Sequence, residues 1–361
     1  MSKSVNNRKA WNLMCCTMRE SLRRLASDEG VERRGRSAGS RRVRVELLST
    51  EHITVDIDRK GTGADLLDLV CECVGVEERD YFGLQCTQRG DPRVWVDLNK
   101  RLSKTFRNEP WDVRFAVKFY PPEPADLKDD TTRYQVALAV RRDLMEGRLT
   151  CSQITYALLS SYVLQAELGD HEDSQPLSSA LHQHRAVPVG VITPELEANI
   201  DELYRKHKGQ TPAEAELNYL ETAKRLALYG AEQHAAADSQ QVPIALAVCH
   251  HGLAVYRDGV VMNRFPWAKI SKLSYNKRVF TLRLRAAECE EASTALAFRL
   301  PAARAARALW RAAVEAHMFY RREAPVGVAR VPGLSRLGSR RLSCRRTLRQ
   351  LRGDSATPTA A

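Results

Sequence analysis

The sequence has no apolar run of the roughly 18–20 residues needed to cross a bilayer, which excludes a helical membrane-embedded body. Its start, MSKSVNNRKA, carries basic residues with no apolar stretch behind them, so a secretory leader is not expected. Signatures of catalysis are missing as well: there is no GxSxG, no Walker loop, no HExxH and no GxGxxG after a strand. No enzyme activity is therefore expected. No RNP-type aromatic motif occurs, which weighs against readout of single-stranded RNA. The nine cysteines are odd in number and lack framework spacing, as in a reducing compartment. Cys71 and Cys73 lie two apart on an expected helix and so point to different faces; Cys15–Cys16 reads as an unmodified pair rather than an acylation site. His182, His184 and the pair His250-His251 have no Cys, Asp or His partners at metal-binding spacing and read as loop or strand-end residues. No metal or cofactor is expected.

What is present is 361 residues, 43% of them hydrophobic, enough for two or three folded domains. The net charge is +12, unevenly spread. Residues 1–42 carry +7, residues 321–361 carry +8, and the body between them carries −3. Two Arg-rich flanks around a near-neutral body suit an anionic partner, a membrane surface or a nucleic acid.

Residues 1–42 read as a flexible basic segment with a short helix expected around Trp11–Leu25. Period-two alternation then marks strands at 43–49, 52–57, 82–86, 93–96 and 113–120, with helical spacing at Ala64–Val74. This β-β-α-β-β-β order fits a ubiquitin-like roll over 43–120. Pro121-Pro122-Glu123-Pro124 breaks the chain, and the period changes to 3.6. Helices are expected at Tyr134–Met145 and Cys151–Leu168, then an irregular connection at 170–192. Another helix is expected after Thr193-Pro194-Glu195. A last one runs from the capping box Thr211-Pro212-Ala213-Glu214 to about Tyr229, with Leu217, Leu220, Ala223 and Ala227 on one face and Gly230 as its stop. The helical unit covers 133–231. Short strands follow at 243–249, 253–256, 260–265, 269–275, 279–285 and 295–300. A helix at Pro301–Tyr320, with Leu309, Ala313, Ala316 and Tyr320 as its buried stripe, closes a sandwich over 240–322. Residues 323–361 lose periodicity and read as a largely disordered basic tail.

Several longer segments carry a family resemblance. In the first unit they are Tyr81-Phe82-Gly83-Leu84-Gln85, Trp95 and Val117-Lys118-Phe119-Tyr120. In the second they are Tyr162-Val163-Leu164-Gln165-Ala166-Glu167-Leu168-Gly169-Asp170 and Gly209-Gln210-Thr211-Pro212-Ala213-Glu214-Ala215-Glu216, followed by Tyr219-Leu220 and Ala223-Lys224. In the third they are Phe265-Pro266-Trp267-Ala268-Lys269-Ile270 and Ala308-Leu309-Trp310 through His317. Residues 43–322 thereby resemble a FERM domain of the band 4.1 superfamily, closest to its Yurt/band 4.1-like branch. Leu337-Gly338-Ser339-Arg340 resembles the opening of the FERM-adjacent segment, without the usual aromatics after it. The implied fold is multi-domain α+β: a ubiquitin-like roll, an acyl-CoA-binding-protein-like helical bundle, and a pleckstrin-homology/phosphotyrosine-binding-like sandwich with a C-terminal helix.

The resemblance implies an adaptor at the plasma membrane, cell cortex and junctions. Its implied partners are cytoplasmic tails of transmembrane proteins, phosphoinositides or other anionic lipid, and polarity or cytoskeletal proteins. In such a sandwich the strand before the final helix is an exposed edge able to pair with a peptide. Here that strand is Lys269–Tyr275, and the expected groove residues are Ile270, Leu273, Tyr275, Trp310, Val314 and His317. Residues that simply pack the helix on the sheet would show the same pattern. Arg89, Lys100 and Arg101, with Lys277 and Arg278, are the expected lipid contacts; solvated surface charge is the plainer reading of each. Ser339, Ser343 and Thr347 lie in a basophilic-kinase-like stretch, where phosphate would offset the +8 tail. The competing class is a nucleic-acid-binding protein working through its Arg-rich flanks; nucleic acid is not the expected partner.

Overall fold

Alternation of buried and exposed residues builds the first two strands, β1 (Ser40–Glu46) and β2 (His52–Asp58), with Val43, Val45, Ile53, Val55 and Ile57 turned inward. In this computed structural model residues 40–88, 91–107, 109–171, 176–285 and 295–321 are described. They fall into two units, one ending at Tyr229 and one beginning at Gly230.

In the first unit, α1 (Gly63–Val74) is launched by a Thr62/Asp65 capping box and stopped by Gly75 in the left-handed region. It buries Leu66, Leu67, Val70 and Val74. Next come β3 (Phe82–Gln88), β4 (Asp91–Trp95), the single turn α2 (Leu102–Thr105) and β5 (Asp112–Val117). The sheet order is β2-β1-β5-β3-β4. Only the central β1–β5 pair is parallel, as the expected roll requires.

Five helices follow: α3 (Asp130–Met145), α4 (Gln153–Leu168), α5 (Leu177–Gln183), α6 (Pro194–Lys206) and α7 (Pro212–Ala223). Asp129, Ser152, Thr193 and Thr211 cap four of them, satisfying backbone N–H groups that the first turn leaves free. Two expectations are corrected here. The connection at 170–192 is not wholly irregular, because α5 uses Ala180 and Leu181 to close on the bundle. And α7 stops at Ala223 rather than Tyr229: its buried face is Ala215, Glu216, Tyr219, Leu220 and Ala223, Leu217 is half-buried and Ala227 is exposed. Tyr229 instead anchors the chain by donating to the Pro121 carbonyl, 3.1 Å away.

A partly buried polar network ties the roll to the bundle. Arg142 on α3, 7% exposed, donates to Glu46 Oε1 and the Leu47 carbonyl, both at 2.8 Å. Glu46 Oε2 accepts from Arg114 on β5 at 3.1 Å. Tyr120 donates to Asp143 at 2.5 Å, and Arg148 pairs with both Asp143 and Glu146.

The second unit holds β6 (Glu232–Ala237), β7 (Pro243–Cys249), β8 (Gly252–Arg257), β9 (Val260–Pro266), β10 (Ile270–Asn276), β11 (Val279–Leu284), β12 (Ala295–Arg299) and α8 (Ala303–Arg321). The sheet order is β10-β11-β12-β6-β7-β8-β9, antiparallel throughout. β6 escaped the sequence reading: its EQHAAA has no β-branched residue to mark it. His250-His251 are the two residues of the β7–β8 hairpin turn, as Cys249 pairs with Gly252. Gly252 has φ +153° and lies so close to β9 that a Cβ there would sit 2.1 Å from the Phe265 carbonyl oxygen. Among the described residues no helix is long and apolar enough to cross a membrane, and no group of His, Cys, Asp or Glu is placed to hold a metal.

Candidate functional site

The strand next to the final helix in sequence, β12, lies inside the sheet between β11 and β6; the free edge on this side is β10. The edge role given to Lys269–Tyr275 therefore holds for its body, while the general placement just before the helix does not. Lys269 itself ends a short 3-10 turn, Trp267–Lys269.

Small residues let α8 lie close to the sheet. Its buried stripe is Ala306, Leu309, Ala312, Ala313 and Ala316; Tyr320, expected in it, is half-buried. One residue round the helix runs a second row, Arg307, Trp310, Val314, His317 and Arg321, at helical spacing. This row follows β10 in the opposite direction. Trp310 donates its indole N–H to the Leu273 carbonyl at 3.1 Å and packs its ring 5.4 Å from Tyr275. His317 meets Trp267 edge-on at 5.7 Å, and Arg321 donates to the Trp267 carbonyl at 3.5 Å. Trp267 is itself fixed by donating its indole N–H to the Cys249 and His250 carbonyls. Burial, with the charges of Arg321 and Arg285, holds the His317 imidazole below its ordinary pKa.

The Leu273 carbonyl thus points away from β11. At the two-residue period of a strand, so do the N–H and C=O of Tyr275. Five of the six expected groove residues border this edge at the surface: Leu273, Trp310, Val314 and His317 are half-buried, and Tyr275 is 38% exposed. Ile270, at 3% exposure, is core and offers no surface.

The expected lipid contacts fall in two places, each on its own unit. In the first, Lys100 and Arg101 are exposed beside the β2–α1 loop. Gly63 donates to the Lys100 carbonyl at 3.1 Å, Thr62 bridges Arg101, and Leu102 donates to the Gly61 carbonyl at 3.0 Å. That loop adds Arg59 and Lys60, which sequence reading passed over because forty residues separate them from Lys100. In the second, Lys277 and Arg278 form the exposed two-residue turn between β10 and β11, with Lys277 at φ +50°. Arg89, Ser339, Ser343 and Thr347 lie outside the described residues.

Three family models match in the same order as these elements: the FERM N-terminal domain at residues 45–108, the FERM central domain at 122–234 and the FERM C-terminal PH-like domain at 238–327. Curated relatives agree over the same stretch. The Protein 4.1 homolog of Drosophila melanogaster is 46% identical over 289 residues, 80% of this chain and 17% of that protein. Band 4.1-like protein 2 of Homo sapiens is 43% identical over 282 residues, 78% of this chain and 28% of that protein. The chain belongs to the FERM-bearing band 4.1 family. It spans about a sixth of the first of these relatives and little more than a quarter of the second. Among solved structures, the complex of the FERM and C-terminal domains of Drosophila Merlin aligns with TM-score 0.69 at 24% identity, covering 77% of this chain and 96% of that one. At that identity it supports the three-lobed FERM fold and nothing more.

Proposed function

We propose that this band 4.1 family chain is a non-enzymatic adaptor between membrane and cytoskeleton, acting on the cytoplasmic side of the plasma membrane, at the cortex and junctions. Its second unit binds cytoplasmic tails of transmembrane proteins in the channel between β10 and α8. One observation carries this reading: β10 is a free sheet edge whose outward backbone groups lie beside a half-exposed aromatic wall of Tyr275 and Trp310. Main-chain pairing then supplies affinity and the side-chain row supplies selectivity. Lys100 and Arg101 on one unit and Lys277 and Arg278 on the other add attraction to anionic lipid, on the order of 1 kcal/mol per cation held near the surface. Phosphate on Ser339, Ser343 or Thr347 would weaken that attraction. Polarity or cytoskeletal proteins are its further partners.

The test uses the full chain against tail peptides, phosphoinositide vesicles and RNA. Binding of tail peptide is expected, with Leu273→Asp abolishing it while the melting transition stays. Peptide affinity unchanged by Leu273→Asp removes the groove from the reading. Binding of RNA alone, dependent on residues 1–42 and 323–361, replaces the adaptor with the nucleic-acid class.

A further inference from the structure

The second unit is strongly cationic. Among its described residues thirteen are Lys or Arg and four are Asp or Glu. Glu315, the one acid on α8, pairs along the helix with Arg311 at 2.9 Å. The groove has cations at both ends and apolar residues between. Because α8 runs antiparallel to β10, Arg307 lies one turn beyond Trp310, about 5 Å along the helix, and Lys277 lies two residues beyond Tyr275, in the turn that ends β10. Both lie toward the hairpin end. Leu300, leading into α8, donates to the Arg278 carbonyl at 2.8 Å, which holds Arg278 and the first turn of the helix, with Arg304, at that same end. None of Lys277, Arg278, Arg304 and Arg307 forms an ion pair with a described residue, and all four are exposed. At the opposite end stand Lys269 and Arg321. From Arg307 to Arg321 is fourteen residues of helix, about 21 Å, which an extended peptide covers in roughly six residues.

We infer that the groove selects an acidic peptide: an extended segment of about six residues with apolar anchors, flanked on both sides by Asp or Glu. This rests on the groove reading above and names its partner class. The cations at either end serve the flanking carboxylates, while Tyr275, Leu273 and Val314 face the anchors. The pairs form at the rim, in solvent, so they contribute selectivity and faster association, and salt screens them.

The probe is a labelled peptide of alternating Ser with Ile, Tyr and Val over six residues, bracketed by two Glu on each side. Its control has Gln in place of Glu. With the full chain at low salt, the Glu peptide is expected to bind about tenfold tighter than the Gln peptide, a gap that closes as salt rises. The double variant Arg304→Gln, Arg307→Gln is expected to remove most of that gap at unchanged Tm. Equal binding of both peptides, each still lost in Leu273→Asp, overturns the acid preference and leaves the groove standing. If the Gln peptide binds and Leu273→Asp does not weaken it, the groove reading itself fails. Phosphatidylserine vesicles form the last arm: if the double variant loses vesicle binding while the Glu-over-Gln preference is untouched, the cations serve a membrane surface and the inference falls.

Discussion

The two units spend their charges differently. Among described residues the first unit has 24 Lys or Arg against 29 Asp or Glu, and the second has thirteen against four. In the first unit Lys100 and Arg101 are exposed, but other cations work inward. Arg142 joins β1 to α3, Arg148 holds Asp143 beneath Tyr120, and Arg141 is half-buried between Glu167 at 2.9 Å and the His184 carbonyl at 3.0 Å. In the second unit the side chains of Lys277, Arg278, Arg304 and Arg307 form no ion pair with a described residue and face solvent. A buried ion pair fixes geometry, because removing one partner strands the other; an exposed unpaired cation has a use only when something anionic arrives. The near-neutral body read from net charge is therefore two opposite surfaces that largely cancel in the sum.

The largest expected effect breaks the comparison if it fails. Arg142→Ala takes the donor from Glu46 Oε1 and the Leu47 carbonyl, leaving Glu46 with Arg114 alone, and should cost about 3 kcal/mol in chemical denaturation. Alanine at both Arg304 and Arg307 should stay within about 0.5 kcal/mol of wild type. Comparable losses in the two experiments would mean that the second unit's cations are structural too.

A medium effect concerns the first unit's interior. Glu216 on α7 is buried, its Oε2 has no hydrogen-bond partner among the described residues, and burial together with Glu167 pushes its carboxyl up to about 8. The native state thus keeps a proton on Glu216 that the unfolded chain gives up near 4.5. The group's stabilising contribution is whole below that lower value and is lost as pH rises through the window to about 8. Glu216→Gln, neutral at every pH, should flatten this slope and gain about 1–3 kcal/mol over wild type near pH 7–8, read by denaturation at several pH values. A slope unchanged in the variant would assign the loss to another group.

Most of the fold was legible because its signals are local. Thr193 and Thr211 announced helices through caps, and the 2-to-3.6 switch at Pro121–Pro124 marked the roll from the bundle. What escaped has physical reasons. β6 is an alanine-rich strand stabilised by its neighbours β7 and β12 rather than by its own residues. α5 is seven residues long, too short to show a period. The edge strand was found, yet Ile270 was assigned to the groove: it is apolar like Leu273, and sequence alone does not tell an apolar residue at the surface of a strand from one sunk in the core. The cations Arg304 and Arg307 were passed over because composition placed the surplus charge in the flanks, and only the pairing of α8 with β10 brings them to Lys277.

The smallest effect separates structure from recognition at a single residue. Lys277 occupies the turn between β10 and β11 with φ +50°, a conformation that costs a side chain with a Cβ roughly 1 kcal/mol and that Asn tolerates better. Lys277→Asn should therefore raise stability by about 0.5 kcal/mol, a shift of about 2–4 °C in Tm for a unit of this size. It also removes one of the four cations at the hairpin end, so affinity for the Glu-flanked peptide should fall by about twofold at low salt while the Gln-flanked control is unmoved. The two readouts move in opposite directions, which no purely structural role of the lysine produces: a residue kept for the fold loses stability when replaced. If Tm falls together with the affinity for both peptides, Lys277 shapes the turn and its charge is incidental. If Tm rises and only the Glu peptide weakens, the second unit retains a strained lysine for its charge, as Arg142 in the first unit is retained for its bonds.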